Sequence, residues 1–365
     1  MQKINSRQII IFYFIYTAAV KFLMLPHYLS ESAGRDGWIS ALLGSLLELL
    51  LLFAVVKSIE LRNSDGNIYT QLRRRTTAVG AKLIIGIWLL FFLLQSLIII
   101  KQTGFLLEQS LYEELSVLKY AVPILVLGIA FCYMPVRSIF RSGEIFYVLI
   151  AAALGLSLLP ALGKADPAEI LPVLEGGARP VLEGVYNNLI YFESSAILLM
   201  FAGDIKVQKT FTRTFMFWAI IGAIVFTAFV FLYYSMFGPL TVVRPLSIVN
   251  ITQQSSYIVQ NGRLEWIIVC IWLILLLMRF GVTFLACFAA IRYIIGIKTR
   301  PVAVVLPLAA VLYIVHTYII ISLADLGRFI TALLPVIAGF YLLVLVIAIL
   351  LSFNRNKKQE VNRDV

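Results

Sequence analysis

The sequence predicts an all-α integral membrane protein of ten transmembrane helices, and three observations carry that prediction. Apolar residues make up 61% of the 365 and charged residues only 13%, with a mean hydropathy of +0.95. A soluble globular chain is about 25% charged, and one of this size keeps too much surface to hide so many apolar side chains. The apolar residues fall in ten runs of roughly bilayer-spanning length, and the basic residues gather between alternate runs, as membrane orientation requires. The same arithmetic excludes disordered, collagen-like and disulfide-scaffold chains.

In order, the runs are 9–29, 38–56, 83–106, 120–134, 145–162, 186–202, 214–237, 265–291, 302–323 and 329–352. Each is read as a helix, which alone among unpaired segments satisfies its own backbone in lipid. The fourth is the shortest. With a cytoplasmic N-terminus, twenty of the 30 Lys and Arg fall in cytoplasmic segments, including Lys57, Arg62, Arg73, Arg74, Arg75, Lys298, Arg300 and the tail residues Arg355, Lys357, Lys358 and Arg363. Eight fall outside (Arg35, Lys101, Lys119, Lys164, Arg179, Arg244, Arg263 and Arg328) and two lie within spans. Both termini are therefore expected in the cytoplasm. Two long outer segments, about 163–185 and 238–264, are expected to hold short surface helices.

The net charge of +11 is explained by this topology, without nucleic acid. Cys132, Cys270 and Cys287 sit far apart in apolar runs and suggest neither disulfide nor metal ligand. No GxSxG, HExxH or P-loop occurs, His27 and His316 lack metal-ligand spacing, and loop acids such as Glu108, Glu113 and Glu114 read as a solvated rim. The expectation is a non-enzyme with no cofactor and no metal.

Ionisable groups inside spans cost about 2.5–3.5 kcal/mol each even on lenient scales and need a reason. Four stand out: Lys21 in span 1, Glu48 in span 2, Glu193 in span 6 and Arg279 in span 8. His316 in span 9 is a weaker case, read as a packing residue. As two bases and two acids they form a candidate buried charge network, and for Glu48 and Arg279 a plain helix-packing ion pair is the competing reading. Lys21 and Glu193 differ in their surroundings. Lys21 follows Thr17, Ala18, Ala19 and Val20 and precedes Pro26, which breaks the helix ladder. Glu193 sits among Tyr191, Phe192, Ser194 and Ser195, a polar cluster in mid-span.

Spans 1 and 6 open two five-span halves, about 9–162 and 186–352. That arrangement suits a LeuT-like 5+5 inverted repeat with helices 1 and 6 interrupted, in one polytopic domain with a cytoplasmic tail at 353–365. The N-termini of the half-helices would favour a carboxylate.

The stretch INSRQIIIFYFIYTAAVKFLMLPHYLSESAGRDGWISALLGSLLELLLL, with Ser6-Arg7-Gln8, Leu25-Pro26 and Ala33-Gly34-Arg35-Asp36-Gly37-Trp38, resembles the B subunit family of spore germinant receptors. These are endospore germination permeases of the amino acid–polyamine–organocation transporter superfamily. Residues 171–185 and 263–284, the latter with Trp272, continue the resemblance. Where that family commonly has Gly-x-Gly at the span 1 break, this sequence has Ala19-Val20-Lys21.

The resemblance implies a subunit that binds a small germinant such as an amino acid where spans 1, 3, 6 and 8 meet. It would work in the spore inner membrane with an A subunit and a lipoprotein C subunit. Lys21 and the span 6 backbone would then take a carboxylate and Glu193 an amine, with Arg279 neutralising Glu48 or Glu193; the expected ligand-binding residues are Thr17, Ala18, Ala19, Val20, Lys21, Tyr191, Phe192, Glu193, Ser194, Ser195, Arg279 and Thr283. The alternatives are an amino-acid permease with net flux, and a scaffold whose charges only hold helices together.

Overall fold

The computed structural model describes residues 3–61, 66–111, 116–255, 264–296, 302–319 and 322–352. Arg62, Glu113, Glu114, Arg263, Lys298, Arg300 and the 353–365 tail lie outside them. Among the described residues the chain is nearly all helix: α1 (Ser6–Lys21), α2 (Leu25–Ala33), α3 (Gly37–Leu61), α4 (Ile68–Arg75), α5 (Ala78–Ser110), α6 (Val117–Tyr133) and α7 (Val136–Leu162) in the first half. The second half holds α8 (Ala178–Asn187), α9 (Leu189–Phe192), α10 (Ser195–Met200), α11 (Phe211–Phe237), α12 (Ser247–Ser255), α13 (Leu264–Ile295), α14 (Val302–Ile314) and α15 (Leu323–Ser352).

Among the described residues, seven helical stretches are long and apolar enough to cross a membrane: Leu25–Leu61, Ala78–Ser110, Val136–Leu162, Phe211–Val243, Glu265–Ile295, Val302–Ile319 and Ala324–Ser352. Val117–Tyr133 is a shorter apolar helix, matching the expectation that the fourth run is the shortest. The first and sixth runs are not single stretches in either group: the first is divided between α1 and α2, whose residues begin the Leu25–Leu61 stretch, and the sixth among α8, α9 and α10. One element departs from the all-α expectation. Ile4–Asn5 (β1) pairs in parallel with Ile205–Lys206 (β2), and the Ser6 hydroxyl adds a 3.0 Å hydrogen bond to the Lys206 carbonyl. These segments are two residues long and polar in part, too short for any periodicity to announce them.

Lys101 is a second departure, from the charge count alone: counted there as outside, it falls within the third run, 83–106, lies inside α5 and is buried. Helix α5 continues to Ser110, so the lysine is enclosed by its own helix and neighbours.

The helices that position the centre pack in a consistent order. α1 lies against α7 and α13, α13 against α5 and α6, and α3 against α11 and α15. The rings of Phe91 and Phe340 stack at 4.0 Å and fasten α5 to α15. Gly44 on α3 sits directly on the Phe192 ring, where an added Cβ would collide with it. This close approach brings α3, with Glu48 one turn further on, against the sixth run.

Candidate functional site

Both expected interruptions are present, and each has a local chemical cause. α1 ends at Lys21, residues Phe22–Met24 form a turn, and α2 begins with Pro26 in its first helical turn. Proline lacks an N–H and is tolerated there because first-turn donors have no intrahelical partner. Carbonyls near the break find other donors: Leu23 O accepts from Ser247 N at 2.7 Å and Pro26 O from the Tyr234 hydroxyl at 2.6 Å. That exchange is what lets irregular backbone persist inside a protein-lined membrane interior.

In the sixth run, the Asn188 amide donates to Gly184 O and Tyr28 O where α8 ends. After the four-residue α9, Glu193 takes an extended backbone with φ −99° and ψ 93°. Its Oε1 accepts from Ala196 N at 2.7 Å and from the Ser195 hydroxyl at 2.9 Å. A carboxylate satisfying the first donors of a helix restarts it, in the manner of a side-chain cap. Glu193 thus caps the restarted helix from within the interruption, with its side chain buried.

The two breaks lie side by side. The Lys21 ammonium is 5.2 Å from the centre of the Phe192 ring and 5.4 Å from that of Phe226. Its ion pair is with Glu48, whose other oxygen accepts from the Tyr13 hydroxyl at 3.0 Å. Lys21 and Glu48 are both buried. Of the four spanning charges, then, this pair meets directly.

Arg279 does not meet either acid through a hydrogen bond or an ion pair among the described residues. Its guanidinium donates to the Tyr16 carbonyl and, at 3.2 Å, to Gln95 Oε1, and it stacks 4.1 Å from the centre of the Tyr16 ring. The expected neutralisation of Glu48 or Glu193 is replaced by neutral partners, because α1 and α5 present them to that face of α13. Thr283, one turn along, bonds the Tyr16 hydroxyl at 3.1 Å and the Arg279 carbonyl at 2.9 Å.

The remaining expected residues fall around these. The Thr17 hydroxyl returns to the carbonyls of Tyr13 and Phe14. Ala18, Ala19 and Val20 are buried beside it. The Tyr191 ring stacks on that of Tyr28 at 5.4 Å. Ser194 is buried, and its hydroxyl has no hydrogen-bond partner among the described residues; Glu193 Oε2, the Arg279 Nε–H and the Trp272 indole N–H share that condition. His316 bonds the Tyr120 hydroxyl at 3.0 Å, as a packing histidine would.

A cavity of about 570 Å³ lies above the breaks, lined in part by Met24, His27, Tyr28, Glu31, Asn188 and Tyr191. Both stacked tyrosines line it. A smaller apolar crevice of about 200 Å³ reaches the Lys21–Glu48 pair between α7 and α11. No group of three or more His, Cys, Asp or Glu suited to a metal ion occurs among the described residues.

Charge scanning overlooked the amides of α5. Gln95 bridges the Arg279 guanidinium to the Ile190 carbonyl, to which its own amide donates at 2.9 Å, and Gln102 is fully buried with both amide atoms unpartnered among the described residues. They are seven residues apart, hence on one helix face, and neutral polar side chains at that spacing in an apolar run are the signal that would have found them.

Residues 3–322 match the spore permease family, described as "Spore germination protein". The chain belongs to this family. This spore permease is 25% identical over 203 residues to Spore germination protein KB of Bacillus subtilis (strain 168), across 54% of its own length and 52% of that protein. It therefore spans about half the length of that relative. With Spore germination protein YndE of the same organism it shares 24% identity over 325 residues, 86% of each chain. Among solved structures it resembles a mutant of the Eremococcus coleocola manganese transporter, with a TM-score of 0.53 and 11% identity over 94% of this chain and 76% of that one. That likeness gives the chain a LeuT-like fold. It is a germination-related integral membrane protein.

Proposed function

We propose that this spore permease is the membrane subunit of a spore germinant receptor, binding a small germinant of the amino-acid class between its two interrupted helices. It works in the spore inner membrane with A and C subunits, both termini cytoplasmic. Its ten crossings are α1 with α2, α3, α5, α6, α7, α8 to α10, α11, α13, α14 and α15, in two inverted halves of one domain (about 9–162 and 186–352). The ligand contacts are residues Thr17 to Lys21, Tyr191 to Ser195, Arg279 and Thr283.

The observation that carries this reading is the pair of adjoining breaks with four buried ionisable groups around them, beneath a cavity of about 570 Å³. Buried charge is retained in a membrane protein where a solute or proton must be handled. Binding stabilises one arrangement of the halves, and the partner subunits read the shift, because only differential affinity between states moves an equilibrium.

The test is complementation of spores lacking this chain with Lys21→Ala and Glu193→Gln variants, alongside binding to the purified chain. Loss of germinant response and of affinity together is the expected outcome; retention of both in both variants refutes the site. Accumulation of labelled amino acid by proteoliposomes holding this chain alone would instead establish a permease.

A further inference from the structure

We propose that the crevice between α7 and α11 is a second binding site, reached from the bilayer, for a small uncharged molecule with an apolar body and one hydrogen-bond acceptor, such as an aryl alcohol. It goes beyond the germinant reading and does not depend on it. The crevice, of about 200 Å³, shares no lining residue with the larger cavity above the breaks. Tyr147 and Leu154 line it from α7, and Trp218 and Ala223 from α11. Both helices belong to stretches long and apolar enough to cross a membrane, and Tyr147 and Trp218 are 43% and 42% exposed. From these exposed rings the crevice runs inward to Lys21 and Glu48, which are 7% and 6% exposed. Its mouth therefore lies between two lipid-facing helices, and a molecule dissolved in the bilayer reaches the ion pair without passing through water.

The floor specifies the head group. The Tyr13 hydroxyl is spent on Glu48, and the Thr17 hydroxyl on carbonyls of its own helix. An ammonium carries three donors, and Lys21 makes one hydrogen bond among the described residues, to Glu48. Its other neighbours are the Phe192 and Phe226 rings, contacts worth less than a hydrogen bond from a charged donor. Phe226 lines the crevice and Phe192 belongs to the sixth run, so the ammonium stands between the crevice and the paired breaks. A hydroxyl oxygen brought in through the crevice takes one of the unspent donors. A charged head does not suit the place: Glu48 already neutralises Lys21, so a further charge would be buried without a partner. Size limits the body. A cavity of about 150 Å³ accommodates benzene, so one of about 200 Å³ takes a single ring with a short polar arm.

The full chain in lipid nanodiscs is labelled with a benzyl alcohol bearing a photoreactive diazirine, and the labelled peptides are located by mass spectrometry. Benzyl alcohol, toluene, benzylammonium and benzoate compete, each at a concentration corrected for its uptake by empty nanodiscs. Saturable labelling within 147–154 and 218–226 is expected. Benzyl alcohol protects at about one-tenth the concentration of toluene or less, as for one hydrogen bond to a charged donor, and neither ion protects. In the Lys21→Met, Glu48→Met double variant the two neutral probes protect equally, because the ring still fits and the donor is gone. Ala223→Leu, which fills the mouth, abolishes the labelling. Labelling that rises with probe concentration without saturating shows bilayer lipid in the crevice and overturns the proposal. So does equal protection by toluene in the parent chain, protection by either ion, or undiminished labelling in Ala223→Leu. An alcohol preference retained in the folded double variant overturns it too, and the parent and Ala223→Leu readings decide the matter where the double variant does not fold.

Discussion

Replacing Lys21 with Met tests how the centre is held, because it removes a charge whose partner stays behind. Glu48 would keep one hydrogen bond, from Tyr13 at 3.0 Å, in a position only 6% exposed. Breaking a buried ion pair by deleting one member costs about 3–5 kcal/mol. The two ring contacts of the ammonium add about 0.5–1 kcal/mol each. Glu48→Met is milder, about 2–4 kcal/mol, because Lys21 would remain between the Phe192 and Phe226 rings. The double replacement leaves no orphan and fills the space with apolar atoms, so it lies within about 1 kcal/mol of the parent. Unfolding in mixed micelles, followed by tryptophan fluorescence, gives the four free energies of the cycle. Single effects that add to within about 0.5 kcal/mol would show the two residues to be uncoupled and refute the pairing.

Three further outcomes follow from the packing. Gln95→Leu strands both the Ile190 carbonyl and one Arg279 nitrogen, for a loss of about 1–3 kcal/mol per group, read by thermal unfolding in detergent. Gly44→Ala drives a methyl into the Phe192 ring and destabilises by about 1–3 kcal/mol, with weakened ligand affinity in the same preparation; full stability and affinity would contradict the close approach. Ser6→Ala removes the tie to the Lys206 carbonyl and costs about 1 kcal/mol, seen as faster amide exchange at residues 4–6 and 205–206 with unchanged exchange in α13.

Much of this arrangement can be read from local sequence. Hydropathy locates the membrane segments because burying apolar surface is a property of each stretch by itself. Pro26 and the polar cluster at Glu193 mark the interruptions for a similar reason: a missing donor and a competing side chain act on their own turn of backbone. The shortness of the fourth run and the four charges within spans needed no tertiary information either.

Which charge answers which was beyond that reach. Lys21 with Glu48, and Arg279 with Tyr16 and Gln95, are partnerships across helices far apart in the chain, decided by crossing geometry and by Gly44 letting α3 approach. Composition could say that two acids and two bases balance, but not that Glu193 would turn one oxygen onto its own helix and leave the other unclaimed. The strand pair at 4–5 and 205–206 was decided the same way. A residue's propensity acts over a few ångströms of its own backbone, whereas its electrostatic and hydrogen-bonding partners are chosen by whatever the assembled bundle places beside it.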